Sequence, residues 1–512
     1  MDTVVQRRTH EHGAATPATG LPDVLTRAHL VDVAKPGMEG LALWLASRGL
    51  EVTGSIDPAD RDSVAAARLR EAGVDVAVGF DAGHVREDRT CVVWSGVLAA
   101  PHPELNRGQE LHLPVLARAH ALASLTADFG RQLVAVGGSH GTATAAAVLA
   151  AVLDDGHTGW ILNAPTLNRP PGHSGDRRLV VDLCPDTATH EPAPKGSWSY
   201  RPNTAPSYRR PRPEVTLITA AAGNVPHFED TVEALNSLTG LAHRSGTVVL
   251  PLWDKSTRIL RERLTDRPGP NGPTAVVTVG LDESADVWVL PPRWLGGEHL
   301  LALHYQGVQY QFIVPVAGRH QALAACAAIA TALVAGASPG AVAERLAAFR
   351  GVERSLTVLG TQCGITVADS RARHPREVAQ DVTAARLLTE GNVIVALEPD
   401  GIARTSAHAG GLGSALGDAN HALLLPVSTP LATHDGPDPL DAVERAAVRV
   451  LGPDAVHRVR CGPRESGPEQ RLFEMTAEGD LVLVVGTGQA ERLGARLLDR
   501  LAQTGAPGAV CP

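Results

Sequence analysis

Lysine is almost absent from this chain. Among 46 lysine and arginine residues in a sequence of 512, only Lys35, Lys195 and Lys255 are lysines. Together with abundant alanine and glycine, this bias is typical of a GC-rich bacterial genome, which accounts for scarce lysine in general.

Paired cysteines, long apolar runs and an excess of positive charge are also missing. The six cysteines form no CxxC pair, which argues against a zinc site or a disulfide framework and predicts reduced thiols in a cytoplasmic protein. The first twenty residues lack the apolar core of a secretion signal, and no run approaches the roughly 20 apolar residues of a membrane span. A net charge of -9 offers no footprint for nucleic acid or a membrane surface, so small molecules are the expected partners.

The order of predicted elements indicates an α/β protein. Hydrophobic residues make up 44% and charged residues 20%, which is typical of a globular chain, and the length predicts several domains. Strand, turn and helix patterns alternate along the sequence, as in parallel sheets with crossover helices. Many Pro, Arg and Gly residues between 163 and 213 predict a long irregular insert. The predicted division is a flexible arm at 1–27 and three α/β domains at 28–130, 131–350 and 351–512.

A glycine-containing loop between a strand and an alanine-rich helix is the most informative segment. Residues 137–144 read GGSHGTAT. In a working phosphate loop the backbone amides cradle phosphate oxygens, a lysine reaches the terminal phosphates, and the next hydroxyl binds magnesium. Those last two positions are Thr142 and Ala143 here, which leaves Thr144 as a substitute metal ligand. A plain strand-to-helix turn is the alternative interpretation.

Several longer motifs occur in a recognisable order. Residues 29–40 read HLVDVAKPGMEG and residues 113–122 read LPVLARAHAL. Further stretches follow at 278–287 (TVGLDESADV), 316–333 (VAGRHQALAACAAIATAL), 346–355 (LAAFRGVERS) and 367–378 (VADSRARHPREV). In sequence and spacing these motifs resemble the Mur ligase family, and in particular its UDP-N-acetylmuramate-L-alanine ligases, over nearly the whole chain after the arm.

The resemblance implies three domains and a reaction. The domains are an N-terminal Rossmann-like domain that binds a UDP-sugar, a central P-loop-type ATPase domain, and a C-terminal Rossmann-like domain that receives the amino acid. The reaction uses ATP and Mg²⁺ to activate a carboxylate as an acyl phosphate, which an amine attacks to form an amide. Carried over position by position, the UDP-sugar set is Gly37, Met38, Gly40, Ser55, Ser95 and Arg118; the nucleotide set is Gly138, Ser139, His140, Gly141, Thr142, Ala143, Thr144, His320 and Gln321; the catalytic set is Thr142, Asp182, His227, Arg354, Asp369 and His374; and the metal set is Thr144 and Asp182.

The phosphate-handling motifs depart from the family. The family's lysine is replaced by Thr142, and Asp182 alone keeps a carboxylate of the magnesium motif. The metal-binding histidine is lost unless His227 takes its place. Because charge neutralisation supplies most of the catalysis in phosphoryl transfer, these losses predict little ancestral activity. With three lysines in the chain and none near the loop in sequence, an arginine of the 163–213 segment is one candidate for a replacement cation.

Other substitutions affect the N-terminal loop and the adenine motif. Asp32, Ala34 and Lys35 replace glycines that bring the backbone close to the UDP diphosphate, so side chains should obstruct it, although Lys35 could itself reach a phosphate. Gln321 replaces an asparagine that contacts adenine. Ser355 replaces the second arginine of a pair that begins with Arg354.

The retained residues also have ordinary structural interpretations. Asp182 can cap a turn, and His320 can satisfy a helix end. Asp369 and His374 flank a Pro-containing turn, where such residues are common. Arg118 and Arg354 can be interdomain ion-pair partners.

Three hypotheses about function remain open. The first is a pseudoenzyme in which ATP-dependent ligation is lost or strongly altered, acting as a nucleotide-binding, UDP-sugar-binding or regulatory protein. The second is an active ATP-dependent acid-amino acid ligase with a rebuilt phosphate site, forming an amide in peptidoglycan or small-molecule biosynthesis. The third is a structural partner of an active ligase subunit.

Overall fold

The computed structural model describes residues 23–95, 102–127, 132–183, 211–221, 231–269, 274–427, 436–459 and 467–504, together with the backbone of 189–193 and 197–201. Over these residues the chain forms three successive α/β units, and the predicted three-domain α/β architecture is confirmed. The domain ranges stay a prediction. Val352 packs in the central apolar core and Leu356 in the C-terminal one, so the core changes between them.

The N-terminal unit is a five-stranded parallel sheet with crossover helices. Its elements are β1 (Ala28–Val31), α1 (Met38–Ser47), β2 (Thr53–Ile56), α2 (Val64–Glu71), β3 (Asp75–Val78), β4 (Cys91–Trp94), α3 (Pro103–Glu110), β5 (Val115–Ala117) and α4 (Arg118–Ala127). The strands lie in the order β3-β2-β1-β4-β5. Strands β1, β2 and β4 are buried throughout, as expected for a parallel sheet covered on both faces.

The central unit carries the largest sheet. Its elements are β6 (Leu133–Gly137), α5 (Thr142–Leu153), β7 (Thr158–Ile161), β8 (Gly172–His173), β9 (Arg178–Asp182), β10 (Thr189–Ala193), β11 (Ser197–Arg201), β12 (Val215–Ile218), α6 (Thr231–Ala242), β13 (Thr247–Pro251), α7 (Lys255–Asp266), β14 (Ala275–Gly280), β15 (Val287–Val289), β16 (Arg293–Trp294), β17 (His299–Tyr305), β18 (Val308–Val314), α8 (Arg319–Val334) and α9 (Pro339–Ala347). The order is β16-β17-β15-β14-β13-β12-β6-β9-β7-β8, with β18 paired to β17. Side chains along β6 alternate between the two faces of the sheet. Leu133 and Ala135 face one core, and Val134 and Val136 face the other.

The C-terminal unit is a second doubly covered sheet. Its elements are β19 (Ser355–Gln362), β20 (Ile365–Ser370), α10 (Pro375–Ala385), β21 (Val393–Leu397), α11 (Ile402–Ser414), β22 (His421–Leu424), α12 (Leu440–Leu451), β23 (Val456–Arg458), α13 (Pro468–Met475), β24 (Leu481–Val485) and α14 (Ala490–Thr504). The strands lie in the order β19-β20-β24-β21-β22-β23, and only the β19-β20 pair is antiparallel.

Two predictions about irregular chain are wrong in part. Within the predicted insert at 163–213, β8 and β9 belong to the central sheet, and β10 pairs with β11 as an antiparallel hairpin. The apolar pattern RRLVVDL at 177–183 itself predicts a strand, and the structure has it as the buried β9. The predicted flexible arm ends too late: Leu25 is fully buried, and the Arg27 amide donates to Thr90 Oγ1 at 2.9 Å. The rest of the arm, 1–22, lies outside the described residues.

The cysteines and the helices bear on two further predictions, reduced thiols and the lack of a membrane span. Cys91 and Cys326 are free and buried. The prediction of reduced thiols is wrong at Cys363, which is disulfide-bonded, because spacing along a sequence does not tell which cysteines approach each other in the fold. Among the described helices, none has the length and apolar character to cross a bilayer.

A backbone contact between glycines joins the N-terminal and central units. A Cβ at Gly40 in α1 would lie 2.4 Å from the Leu162 carbonyl oxygen, and one at Gly172 would lie 2.0 Å from the Gly40 carbonyl oxygen. At the end of the same helix, the Ser174 amide donates to Ser47 Oγ at 2.8 Å. Helix α1 is therefore pressed onto the central unit with backbone in direct contact at Gly40, and a hydrogen bond to the Ser47 side chain adds to this contact.

We expect Gly172→Ala to destabilise the protein. Its methyl group would meet the backbone of Gly40 and, at 2.8 Å, the Trp44 amide nitrogen, so one segment must shift, at a cost of about 1–3 kcal/mol. Gly340→Ala is the matched control, because that glycine lies in α9 with open space around it and alanine favours a helix. The midpoint of thermal unfolding measures both. Equal midpoints for Gly172→Ala and the parent would contradict the close contact.

Candidate functional site

The candidate site lies at the carboxyl ends of β6 and β12. From β6 the chain proceeds to β7 and β9 on one side, and it later returns as β12 on the other side. Such a switch in strand order leaves a crevice outside the strand ends, which is where open parallel sheets bind ligands. The loop at 138–141, between β6 and α5, lines this crevice.

Two glycines determine the shape of that loop. Gly138 has a φ of 147°, and Gly141, the N-cap of α5, has a φ of 73°. A Cβ at Gly138 would lie 2.2 Å from Thr219 Oγ1, so a side chain does not fit there. The Ser139 amide donates to the Ala220 carbonyl at 3.0 Å, and Thr219 Oγ1 donates to the His140 carbonyl at 2.6 Å. The loop is thereby bound to the residues that follow β12.

Helix α5 presents its N-terminus to the crevice. Among the described residues, no side chain caps its first amides. These amides and the positive end of the helix dipole favour an anion. Thr142 and Thr144 are buried, and Ala143 is half-buried. The predicted nucleotide residues 138–144 thus form one loop with the backbone shape of a phosphate cradle, but Thr142 and Ala143 supply neither a cation nor a metal-binding hydroxyl.

Asp182 is the metal candidate nearest this loop. It is the last residue of β9, paired in register with Val136 of β6, and its side chain is fully buried. A carboxylate at that strand end can bind a cation held by phosphates. No group of three His, Cys, Asp or Glu residues suited to a metal occurs in the part of the chain that the structure describes. The roles of Asp182 and Thr144 as metal ligands stay a prediction, and His227 lies outside the described residues.

A cation reaches the loop from the C-terminal unit. Arg376, the second residue of α10, places its Nη1 3.1 Å from His140 Nε2 and donates to Asp254 Oδ2 at 3.2 Å. The same Asp254 oxygen is 3.8 Å from His140 Nε2. Burial opposes ionisation of Asp254, but hydrogen bonds from Ser256, with His140 and Arg376, hold the pKa of this carboxyl below its usual range. Asp254 is therefore ionised at neutral pH and holds both basic groups beside the loop.

Sequence reasoning missed both Arg376 and Asp254. Asp254 precedes α7 and caps it by accepting from the Ser256 amide at 2.9 Å, so in the sequence it is an ordinary N-cap. Arg376 follows a histidine and a proline in a motif with two other arginines, and nothing in that spacing distinguishes it.

The arginines expected to replace the lost lysine lie at the wrong end of α5. Arg169 pairs with Asp154, the C-cap of α5, and Arg177 Nη1 lies 3.4 Å from Asp155 Oδ2. A helix of 12 residues is about 18 Å long, so these guanidinium groups are a helix length away from the loop. Arg169 and Arg177 are therefore not the replacement cation, whereas the side chains of Arg201, Arg209 and Arg210 lie outside the described residues.

Residues between the central and C-terminal units hold the two together. Arg354 adopts a left-handed conformation with a φ of 55°, and its guanidinium binds Asp369 Oδ2 at 2.9 Å and Glu491 Oε1 at 2.7 Å. Ser355 Oγ lies 3.5 Å from Thr144 Oγ1, and Gln321 Nε2 donates to the Ser355 carbonyl at 2.8 Å. Arg354 thus forms ion pairs, but both partners belong to the C-terminal unit, so these contacts are not the interdomain ion pair that was expected. The amide of Gln321 is engaged by Ser355.

The histidines of the catalytic and nucleotide sets also have structural contacts. His374 is the N-cap of α10, where its side chain accepts from the Arg376 amide at 3.3 Å. Burial lowers the pKa of His374. His320 Nε2 lies 3.2 Å from Asp381 Oδ1. Burial raises the pKa of Asp369, with the neighbouring Arg354 opposing the shift. Their assignment as ligand-binding groups stays a prediction.

The predicted UDP-sugar residues lie around the loop that follows β1. Gly37 has a φ of 82°, and a Cβ on it would lie 2.7 Å from the Arg118 guanidinium and 2.8 Å from Asn163 Oδ1. Arg118 in turn donates to Asn163 of the central unit. Met38 is fully buried in the core, and Gly40 packs against central-unit backbone, so these two positions have structural roles.

Polar residues at the ends of β2 and β4 are buried nearby. Ser55 Oγ donates to Glu104 Oε2 at 2.6 Å, and His84 Nδ1 lies 2.7 Å from Glu104 Oε1. Burial opposes ionisation of Glu104, yet the nearby His29 ring and a hydrogen bond from Ser55 lower its pKa. Glu104 and His84 were not among the predicted site residues. Ser95, which was, is buried after β4.

The first loop residue is a carboxylate in place of a glycine. Asp32 adopts a left-handed conformation with a φ of 56° and is only 6% exposed. Its Oδ1 has no hydrogen-bond partner among the described residues. Burial raises the pKa of Asp32 to about 6, against the opposing charge of Lys35. Lys35 is itself bound to Asp60 at 2.8 Å, so the loop is largely neutralised by its own residues.

Comparison with known proteins gives family-level information. Residues 27–130 match the family described as Mur ligase family, catalytic domain. The chain is 31% identical over 501 residues to the UDP-N-acetylmuramate--L-alanine ligase of Streptomyces coelicolor, which covers 95% of this chain and 100% of that protein. Its fold resembles the crystal structure of UDP-N-acetylmuramate-alanine ligase from Thermotoga maritima, with a TM-score of 0.72, 20% identity and coverage of 93% and 99%. A murein peptide ligase from Psychrobacter arcticus gives a TM-score of 0.67 at 18% identity, covering 95% and 100%.

We expect Asp32→Asn to stabilise the protein at neutral pH and not in acid. A carboxyl whose folded-state pKa is raised destabilises the fold above that pKa and has no such effect below its ordinary value. The interval from 3.8 to about 6 corresponds to about 3 kcal/mol at pH 7.5, which the amide removes. Asparagine also tolerates the left-handed conformation.

Thermal unfolding midpoints at pH 7.5 and pH 4 check this expectation. The exposed Asp75→Asn serves as the control and should leave the midpoint unchanged at both pH values. A gain of equal size at pH 7.5 and pH 4 would contradict the assigned ionisation of Asp32.

Proposed function

The chain belongs to the Mur ligase family, as its sequence motifs predicted, and from this premise we propose that it binds a nucleotide but has lost most or all ATP-dependent ligation. The observation that carries this proposal is a phosphate loop whose backbone is intact while Thr142 and Ala143 stand at the positions of the cation and the metal hydroxyl. In this proposal the protein acts as a nucleotide-responsive binding or regulatory member of the family.

Binding and turnover depend on different parts of such a site. Backbone amides at a helix N-terminus bind phosphate without side-chain charge, and that part is retained at α5. Transfer of a phosphoryl group also needs charge neutralisation, and the loss of one cationic group commonly costs on the order of 10³ in rate. The absence of a lysine at Thr142 therefore lowers turnover far more than it lowers binding.

The residues of the loop after β1 favour nucleotide binding at the central unit over UDP-sugar binding at the N-terminal unit. The Asp32 carboxylate lies where the resemblance places a diphosphate, and above about pH 6 it is ionised and repels one. Lys35 is engaged by Asp60 at 2.8 Å, and the Arg118 guanidinium beside Gly37 donates to Asn163. We therefore infer that binding of a UDP-sugar is weakened in this chain.

An active ligase with a rebuilt phosphate site is the second candidate. One observation favours it, because Arg376 brings a guanidinium to His140 of the loop. The substrates to test are those in the printed name of the Streptomyces coelicolor relative, UDP-N-acetylmuramate and L-alanine.

Titration of the purified protein with ATP and Mg²⁺ tests the proposal. We expect saturable binding by calorimetry and a rise in the unfolding midpoint, since a ligand of the native state stabilises it in proportion to its excess. With UDP-N-acetylmuramate and L-alanine present, ADP release should be at least about 10³-fold slower than for the Streptomyces coelicolor enzyme in the same assay. The double variant Thr142→Lys, Ala143→Thr, which restores both groups, should bind ATP more tightly than the parent.

Each outcome bears on one hypothesis. ADP release at a rate similar to that of the Streptomyces coelicolor enzyme contradicts the proposal and supports an active ligase with a rebuilt phosphate site. Absence of ATP and ADP binding in the parent sinks both nucleotide-dependent readings and favours a purely structural role.

A further inference from the structure

The phosphate loop has a cation beside it that its own sequence does not supply. Arg376 is half-exposed, and Asp254 is almost fully buried. Their contact therefore holds the mobile end of a flexible side chain at a fixed point next to His140. Only one residue separates His140 from Thr142, the position from which a lysine would reach the phosphates.

Two other arginines near the crevice are engaged by carboxylates of the C-terminal unit. Arg354 is held by two carboxylates and donates to the Gly486 carbonyl at 2.6 Å. Arg373 pairs with Asp400 at 3.4 Å. Lys255 follows Asp254 and is exposed, so it is the competing candidate that an experiment has to separate from Arg376.

We propose that Arg376 replaces the missing lysine of the phosphate loop by reaching across from the C-terminal unit to the terminal phosphates of a bound nucleotide. This rests on the proposed function and names the residue that makes a triphosphate or diphosphate bind more tightly than a monophosphate. In the free protein Asp254 holds the Arg376 guanidinium in place. When nucleotide binds, a phosphate oxygen replaces one of the present hydrogen-bond partners of this guanidinium.

The chemistry of the pair suits this exchange. A guanidinium presents several donors in a planar fork, so Arg376 can keep Asp254 on one edge and bind phosphate with another. Because Arg376 belongs to α10, the same contact draws the C-terminal unit onto the central one when nucleotide is present. A lysine at position 142 would bind phosphate without involving the C-terminal unit.

Calorimetric titration with AMP, ADP and ATP tests the role of Arg376. We expect Arg376→Ala to weaken ADP and ATP binding by about 10- to 100-fold, the usual range for a lost charge-assisted hydrogen bond, and to leave AMP binding nearly unchanged. Arg386→Ala, at the other end of α10, is the matched control, because its guanidinium contacts Asn420 at 2.7 Å and lies away from the loop. Lys255→Ala tests the competing cation.

A double-mutant cycle tests whether Arg376 supplies the positive charge that a lysine at position 142 would supply. In a Thr142→Lys background the loop regains its own cation, so Arg376→Ala should lose much less ATP affinity there than in the parent. Unfolding midpoints verify that each variant is folded. If Arg376→Ala is unstable, Arg376→Lys keeps the charge and should bind ATP with intermediate affinity.

Three results overturn the inference. Equal ATP affinities of Arg376→Ala and the parent leave the proposed function standing but remove Arg376 from it. A loss seen with Lys255→Ala instead assigns the cation to Lys255. Failure of the parent to bind ADP or ATP removes the inference together with the proposed function.

Discussion

The contact between Gly138 and Thr219 is the constraint on which the site depends. Because Gly138 has no side chain, the loop can lie against the residues after β12. Thr219 then fixes the loop by donating a hydrogen bond to the His140 carbonyl. That contact sets the direction of the α5 N-terminus and places it beside Asp182 at the end of β9. The backbone shape of this loop is thus built independently of the side chains at positions 142 and 143, so it does not require a lysine at Thr142.

Charged contacts bring the three units together around this loop. Arg68 of the N-terminal unit binds Glu39 and, at 2.7 Å and 3.4 Å, both oxygens of Glu353 in the linker. Burial raises the pKa of Glu39 despite its pairing with Arg68. Buried pairs of this kind add little net stability, since desolvation offsets much of their attraction, but separating one is costly. They favour one arrangement of the units, and the Arg376 contact with Asp254 lies within that arrangement.

The N-terminal unit has changed in a different way. Asp32 stands where the family has a glycine in this loop. It keeps the left-handed backbone, and burial raises the pKa of its carboxyl to about 6. The fold tolerates this because aspartate is among the few residues that adopt such a conformation. The central loop has Thr142 where the family has a lysine, and the N-terminal loop has a buried carboxylate, Asp32, where the family has a glycine. Gly37 and Arg118 remain in close contact beside that second loop.

The sequence by itself determined the features that depend on local pattern. Apolar strands, the alanine-rich helix after the loop, the positions of Gly138 and Gly141 and the absence of lysine at Thr142 are all visible in residues close along the chain. Only the tertiary structure decided which distant residues meet. It placed Arg376 at His140, put Arg169 at the far end of α5, and turned Gly40 into a backbone contact with the central unit. The physical reason is that periodicity and turn chemistry reflect interactions within a few residues, whereas the position of a long charged side chain depends on how separate units pack.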